Sequence, residues 1–329
     1  MAYAIVVPDD HPVFYGSADQ ADLRRLAPYG SVTVHSSRFA DRAELFERLA
    51  PADVVINVRA YCVLDEEAMA HAPSLKMISI MGTGTDNVDL EAATRRGIVV
   101  TNTPAVGAVS VAELTLGLLL SVARALPLSD RRVRAGIWQH VEGPELQGKT
   151  LGLLGLGAIG QHMARLGRGL GMRVIAWSFT NDPARAAACG AELVERDDVF
   201  WRSDVVSVHL RNTPEARGLV GRRELGLMKP SALLLNTARA AIVDQDALVE
   251  ALRAGRIAGA GLDVFLEEPL PVASNPFRDM DNVVLSPHIG AVTAEANARA
   301  RAMPVDNIIA FFQGRPEHVV NPVVLQKSI

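Results

Sequence analysis

The sequence predicts an α/β fold made of two parallel-sheet domains, and three observations carry that prediction. Short apolar strands alternate with amphipathic helices over the first hundred residues, and the alternation restarts at Thr150. The glycine fingerprint Gly155-Leu156-Gly157-Ala158-Ile159-Gly160 stands at the restart. Strands that alternate with helices pair in parallel, and the crossover helices then cover both faces of the sheet. A chain of 329 residues, 49% hydrophobic and 21% charged, has the material for two such cores.

In the first half, strands are predicted at 4–7, 31–35, 54–58, 77–81 and 98–101. Asp41 can cap a helix whose Leu45, Phe46 and Leu49 share a face, with Glu44 at its third position. A second helix, 89–96, is stopped by Gly97. A long leucine- and alanine-rich helix covers 110–126, and a polar stretch with Arg131, Arg132 and Arg134 separates it from the fingerprint. Later strands are predicted at 150–154, 173–177, 204–210, 232–237, 261–265 and 283–286. The last part is helical over 291–312 and extended over 319–325; it is too short to stand alone and returns to the first domain. The domains are therefore 1–103 with 289–329, and 104–288.

A net charge of −4 gives no electrostatic reason to bind nucleic acid or an anionic membrane. Cys62 and Cys189 stand too far apart for a disulfide or metal framework, and the eight histidines are scattered without a metal-binding spacing. The longest apolar run, 114–123, is bounded by Glu113 and Arg124 and is too short to span a bilayer. The first ten residues have no basic leader and reach Asp9 and Asp10 early. A cytoplasmic protein without metal, membrane or nucleic-acid partners is expected.

The fingerprint has the context that makes it meaningful. An apolar strand precedes it, a helix follows, and a second strand ends near Trp177. Gly155 permits the tight turn, Gly157 lets backbone approach a pyrophosphate, and Gly160 lets helix pack on strand. The helix start, with Leu156, Ala158 and Ile159, then offers N–H groups to the phosphates of a dinucleotide, with a structural turn or S-adenosylmethionine binding as the alternatives. At the end of the second strand, Ser178 occupies the position where an acidic residue would read the ribose of NAD. Serine neither repels a 2′-phosphate nor supplies a cation, so NAD is the default and NADP stays open.

Three polar motifs end later strands: Asn236-Thr237-Ala238-Arg239, Leu262-Asp263 through Glu268-Pro269, and Ser286-Pro287-His288-Ile289-Gly290. With the fingerprint and Ser110-Val111-Ala112-Glu113-Leu114-Thr115, they resemble the D-isomer-specific 2-hydroxyacid dehydrogenases from about residue 75 to Pro322. The resemblance implies a Rossmann domain plus a smaller flavodoxin-like substrate domain, a homodimer, and hydride transfer between a 2-keto acid and a D-2-hydroxy acid. The chemistry explains the residue types. The developing alkoxide needs a proton, and histidine is suited to give it because its ordinary pKa lies near neutrality. Following the family pattern, His288 is the candidate acid and Glu268, by resemblance, its carboxylate partner; Arg239 supplies a guanidinium that can hold the substrate carboxylate. Singly, these three read as a surface histidine, a turn residue and a helix-flanking charge; as an ordered set on strand ends they read as one site.

The resemblance also implies cofactor contacts at His209, Leu210, Thr237, Ala238, Asp263 and Gly290, with a turn or cap role competing at Asp263. It places the substrate carboxylate on the backbone of Thr83 and Gly84, in the loop Gly82-Thr83-Gly84-Thr85. Arg59 matches an arginine that contacts substrate phosphate in the phosphoglycerate dehydrogenase branch, and a surface arginine is an equal reading. Arg211 stands where family members usually have proline, and Ala240 where they usually have glycine. The same scaffold carries nucleotide-sensing corepressors and formate- or phosphite-type dehydrogenases, which are the alternatives to a 2-hydroxyacid dehydrogenase.

Overall fold

A computed structural model describes residues 2–58 and 61–327. The chain forms two compact units, Met1–Val106 with Thr293–Ile329, and Gly107–Val292. The unit boundaries fall a few residues C-terminal of those expected from the sequence.

The first unit is built on β1 (Tyr3–Val7), β2 (Gly30–Val34), β3 (Val54–Asn57), β4 (Met77–Ile80) and β5 (Val99–Thr101). All pair in parallel, in the order β2-β1-β3-β4-β5. Successive residues face opposite sides, so Ile5, Val7, Val54, Ile56 and Met77 enter one core while Val6, Val55 and Ile78 enter the other. Strands buried on both faces are apolar throughout, which is why they read as continuous runs. The helices that follow are started by aspartates: Asp41, Asp65 and Asp89 accept the N–H groups of Glu44, Ala68 and Ala92. The terminal helix Ala294–Phe312 adds Val305 and Ile308 to the first of these cores.

The second unit is built on β6 (Thr150–Leu154), β7 (Arg173–Trp177), β8 (Glu192–Leu193), β9 (Val205–Val208), β10 (Leu233–Asn236), β11 (Gly259–Leu262) and β12 (Val283–Leu285). These strands are also parallel, in the order β12-β11-β10-β9-β6-β7-β8. The order reverses between β6 and β9. That switch point opens a crevice at the carboxyl ends of the strands, where α/β sheets take ligands.

Three elements differ from expectation. The long helix runs Ala108–Ala123 and stops where Ala125 turns left-handed at φ 46°. The polar stretch after it starts as a second helix, Leu126–Arg134, with no buried residue. Without an apolar stripe it has no periodicity to read. Over 319–325 the chain is not extended: Val319 makes one antiparallel bridge to Thr101, and Pro322–Lys327 is a 3₁₀ helix. Among the described residues no single helix is long and apolar enough to cross a membrane.

Candidate active site

The fingerprint joins β6 to the helix Ala158–Gly169, and its three glycines face three different environments. Gly155 has φ 101°, and a Cβ there would lie 2.6 Å from the His209 carbonyl oxygen. At Gly160 a Cβ would meet the Gly155 carbonyl oxygen at 2.1 Å. A Cβ on Gly157 would meet nothing within 4 Å. Two glycines thus serve the turn itself, and the third keeps open the space in front of the helix start. Gly157 at the N-cap has no side chain to cap that helix, which leaves its first N–H groups for an anionic group. A dinucleotide pyrophosphate fits this turn. Leu156 is buried in the core beneath it, while Ala158 and Ile159 form the first helical turn.

These contacts separate two roles experimentally. Gly160→Val should destabilise the fold by several kcal/mol, because backbone oxygen cannot yield to the new side chain. Gly157→Val should keep the melting temperature within about 2 °C and weaken dinucleotide binding at least ~10-fold. Thermal melts and NADH fluorescence titrations check the pair; equal melting losses in both would contradict it.

On the other side of the switch point, His209 follows β9, and its Nε2 lies 2.9 Å from the Ser207 hydroxyl. Burial pushes its pKa down to about 4, and Nδ1 is buried with no hydrogen-bond partner among the described residues. The ring is therefore neutral at physiological pH. Leu210 packs into the core. Ser178 follows β7, and the nearest acidic residue, Asp182, is occupied: it caps the next helix at Arg185 N and pairs with the Arg185 guanidinium at 3.2 Å. No carboxylate of this turn is therefore committed to a ribose.

The catalytic candidates leave the ends of three adjacent strands, β10, β11 and β12. After β10, the Asn236 side chain accepts from Ala238 N and donates to the Arg239 carbonyl, both at 3.0 Å, and so folds the turn that presents Arg239. Arg239 Nη1 donates to the Ala238 carbonyl at 2.8 Å. The Thr237 hydroxyl pairs with that of Thr115 at 2.8 Å, tying the turn to the long helix. After β11, Glu268 Oε1 accepts from Phe265 N at 2.9 Å, which leaves Oε2 for His288 Nδ1 at 2.6 Å. Paired in this way, Nδ1 carries its proton toward the carboxylate, and Nε2 is left for exchange with a substrate.

His288 itself has φ 54°, a left-handed backbone that costs a non-glycine residue about 1–2 kcal/mol. Asp263 holds it there. Its Oδ1 accepts from the Ser286 hydroxyl at 2.6 Å and Ile289 N at 2.9 Å, and its Oδ2 accepts from Gly290 N at 2.9 Å. Asp263 is 1% exposed. The structure thus gives Asp263 and Gly290 a part in the turn around His288. Sequence reasoning did not single out Asn236 or Ser286 for this work; a side chain that can form its own turn at a strand end is the signal that finds Asn236.

In the first unit, the loop after β4 holds Thr83 and Gly84. Gly82 N donates to the Thr103 hydroxyl at 2.7 Å, and the Thr83 hydroxyl donates to the Thr103 carbonyl at 3.3 Å. Arg59 lies outside the described residues.

A parallel sheet in dinucleotide-binding order, with a histidine–glutamate pair at its carboxyl edge, defines a nucleotide-dependent oxidoreductase. The family described as D-isomer specific 2-hydroxyacid dehydrogenase, NAD binding domain, matches residues 116–290. Glyoxylate reductase of Thermococcus litoralis is 42% identical over 297 residues, covering 87% of this chain and 89% of that protein. D-lactate dehydrogenase of Aquifex aeolicus, solved with NAD and lactic acid, superposes with a TM-score of 0.82 at 28% identity, over 97% of this chain and 99% of that one. The acyclic imino acid reductase Bsp5, solved with NADPH and D-Arg, superposes with a TM-score of 0.86 at 27% identity, over 96% and 99%. The chain belongs to the D-isomer specific 2-hydroxyacid dehydrogenase family. It is an NAD(P)-dependent enzyme that interconverts 2-keto acids and 2-hydroxy acids.

Proposed function

We propose that His288, Glu268 and Arg239 form the catalytic set of a D-2-hydroxyacid dehydrogenase. The observation that carries this reading is the 2.6 Å contact between His288 and Glu268, next to the three-bond clamp of Asp263. When bound, the nicotinamide ring supplies or receives hydride at C4. In the reducing direction, His288 Nε2 gives the proton that the new alkoxide requires, and in oxidation it takes the proton back. Glu268 accepts from Nδ1–H throughout, so that the imidazolium gives its Nε2 proton in reduction and the neutral ring left behind has a bare Nε2 to take it back in oxidation. The Arg239 guanidinium holds the substrate carboxylate and polarises its ketone. By resemblance to the family, the backbone of Thr83 and Gly84 offers N–H groups to a substrate carboxylate.

For the cofactor, the backbone of Gly155, Leu156, Gly157, Ala158, Ile159 and Gly160 holds the pyrophosphate. Ser178, His209 and Leu210 flank the adenosine, and Thr237, Ala238, Asp263 and Gly290 flank the nicotinamide. Asp263 Oδ2 accepts one bond and keeps a lone pair for the carboxamide. A homodimer in the cytoplasm is the proposed form. Support comes from the exposed apolar side chains Leu126, Val133, Ile137 and Trp138, the last 83% exposed, and from two buried thiols left unpaired.

The testing experiment is oxidation of NADH and of NADPH, followed by absorbance, across glyoxylate, hydroxypyruvate, phosphohydroxypyruvate and larger 2-keto acids. Turnover is the expected result, and the cofactor used reports what Ser178 reads. Dinucleotide binding without turnover of any of them would favour a nucleotide-sensing protein on the same scaffold.

A further inference from the structure

We infer that Asn102 and Asn307 are positioning residues for the substrate carboxylate, acting through the loop of Thr83 and Gly84. The inference rests on that loop being the carboxylate receiver. Its starting point is the peptide unit. The carbonyl of Thr83 and the N–H of Gly84 belong to one rigid plane and point in opposite directions. Whatever holds the Thr83 oxygen therefore aims the Gly84 N–H. Asn102 holds it, with Nδ2 donating to that oxygen at 2.8 Å.

Asn102 follows β5 and is in turn fixed on both sides of its backbone. Its carbonyl accepts from Asn307 Nδ2 at 2.9 Å, and its N–H donates to the His318 carbonyl at 3.2 Å. The ring closes through His318, whose Nδ1 lies 2.9 Å from Asn307 Oδ1. Because Asn307 Nδ2 is the donor to Asn102, Oδ1 must accept, and His318 carries its proton on Nδ1. The Asn102 carbonyl thus decides which way round the Asn307 amide sits, and His318 locks that orientation from the other side. Asn307 is 2% exposed in the terminal helix, where asparagine is a poor helix former and a buried amide needs every partner. The ring satisfies it, and its remaining free function is to hold Asn102.

A purely architectural ring would tie the terminal helix to the sheet and no more. The two roles differ in kinetics. A misaimed Gly84 N–H weakens the grip on the carboxylate in ground and transition states alike, which raises KM and spares kcat. The test uses the 329-residue chain with NADH and whichever of glyoxylate and hydroxypyruvate it reduces faster. Asn102→Ala removes only the Nδ2 donor and leaves the backbone bonds of the ring. It should raise KM about tenfold, with kcat within about threefold and NADH affinity unchanged. His318→Ala should raise KM about threefold, and His318→Asn, which keeps a donor and tolerates the left-handed φ of 54°, should restore it.

A folded Asn102→Ala enzyme with wild-type KM and only a lower melting temperature overturns the inference. So does a His318→Ala defect that His318→Asn leaves in place, and this pair decides the matter if Asn102→Ala fails to fold. Gly84→Pro, which deletes the loop N–H, separates the failure modes. Unchanged KM in Gly84→Pro overturns the loop assignment and the inference with it. Raised KM there beside unchanged KM in Asn102→Ala overturns the inference alone.

Discussion

His288→Asn is expected to lower kcat by about 10²–10⁴ while leaving dinucleotide affinity and the melting temperature near wild type. Asparagine is the right replacement because residue 288 has φ 54°, a conformation that asparagine accepts more readily than alanine. The His288 side chain is 47% exposed, so its removal opens no cavity and costs little stability. What is lost is the proton donor, held by Glu268 with Nε2 available. Glu268→Gln should fall between this variant and wild type. Its side chain has one oxygen to offer, whereas Glu268 uses two, one for Phe265 N and one for His288. The amide nitrogen must then face one of two donors, and the imidazole loses its fixed tautomer. Steady-state and single-turnover reduction of a 2-keto acid measure both. Activity near wild type in a folded His288→Asn enzyme would remove His288 from the mechanism.

What could be read from the sequence follows from how local each constraint is. The fingerprint is legible because Gly155 and Gly160 answer to backbone within a few residues or on the adjacent strand end, while Gly157 stands between them at a fixed spacing. The buried strands are legible because cores on both faces leave apolar runs with no polar alternation. The helix Leu126–Arg134 was not, since it buries nothing, and β8, of two residues, is too short to carry a period. Asn102 and Asn307 were illegible for a different reason: they are 205 residues apart, and nothing near either one announces the other. Asp263 lies between these cases. Its turn role could be weighed beside a cofactor role, but its partners Ser286, Ile289 and Gly290 lie beyond the following loop and on the far side of β12.

That placement sets the second large effect. Asp263→Ala should cost about 3–5 kcal/mol of stability and lower kcat along with it. The carboxylate is 1% exposed, so the N–H groups of Ile289 and Gly290 and the Ser286 hydroxyl lose their acceptor with little access to water. Charge-assisted bonds to backbone N–H groups are among the stronger ones a fold contains. These three straddle His288 on both sides, and they are what offsets its left-handed backbone. Without them residue 288 relaxes, and its ring no longer meets Glu268. Asp263→Asn should be milder: with oxygen at the Oδ1 position it keeps Ser286 and Ile289, and its amide nitrogen opposes only Gly290 N. Ser286→Ala should be mildest, at about 1 kcal/mol, because both backbone bonds survive. Thermal melts should therefore rank the three Asp263→Ala, Asp263→Asn, Ser286→Ala in falling order of damage, with kcat following the same order. A stability loss in Asp263→Ala with kcat untouched would mean that Glu268 alone positions the histidine, and that the clamp serves only the fold.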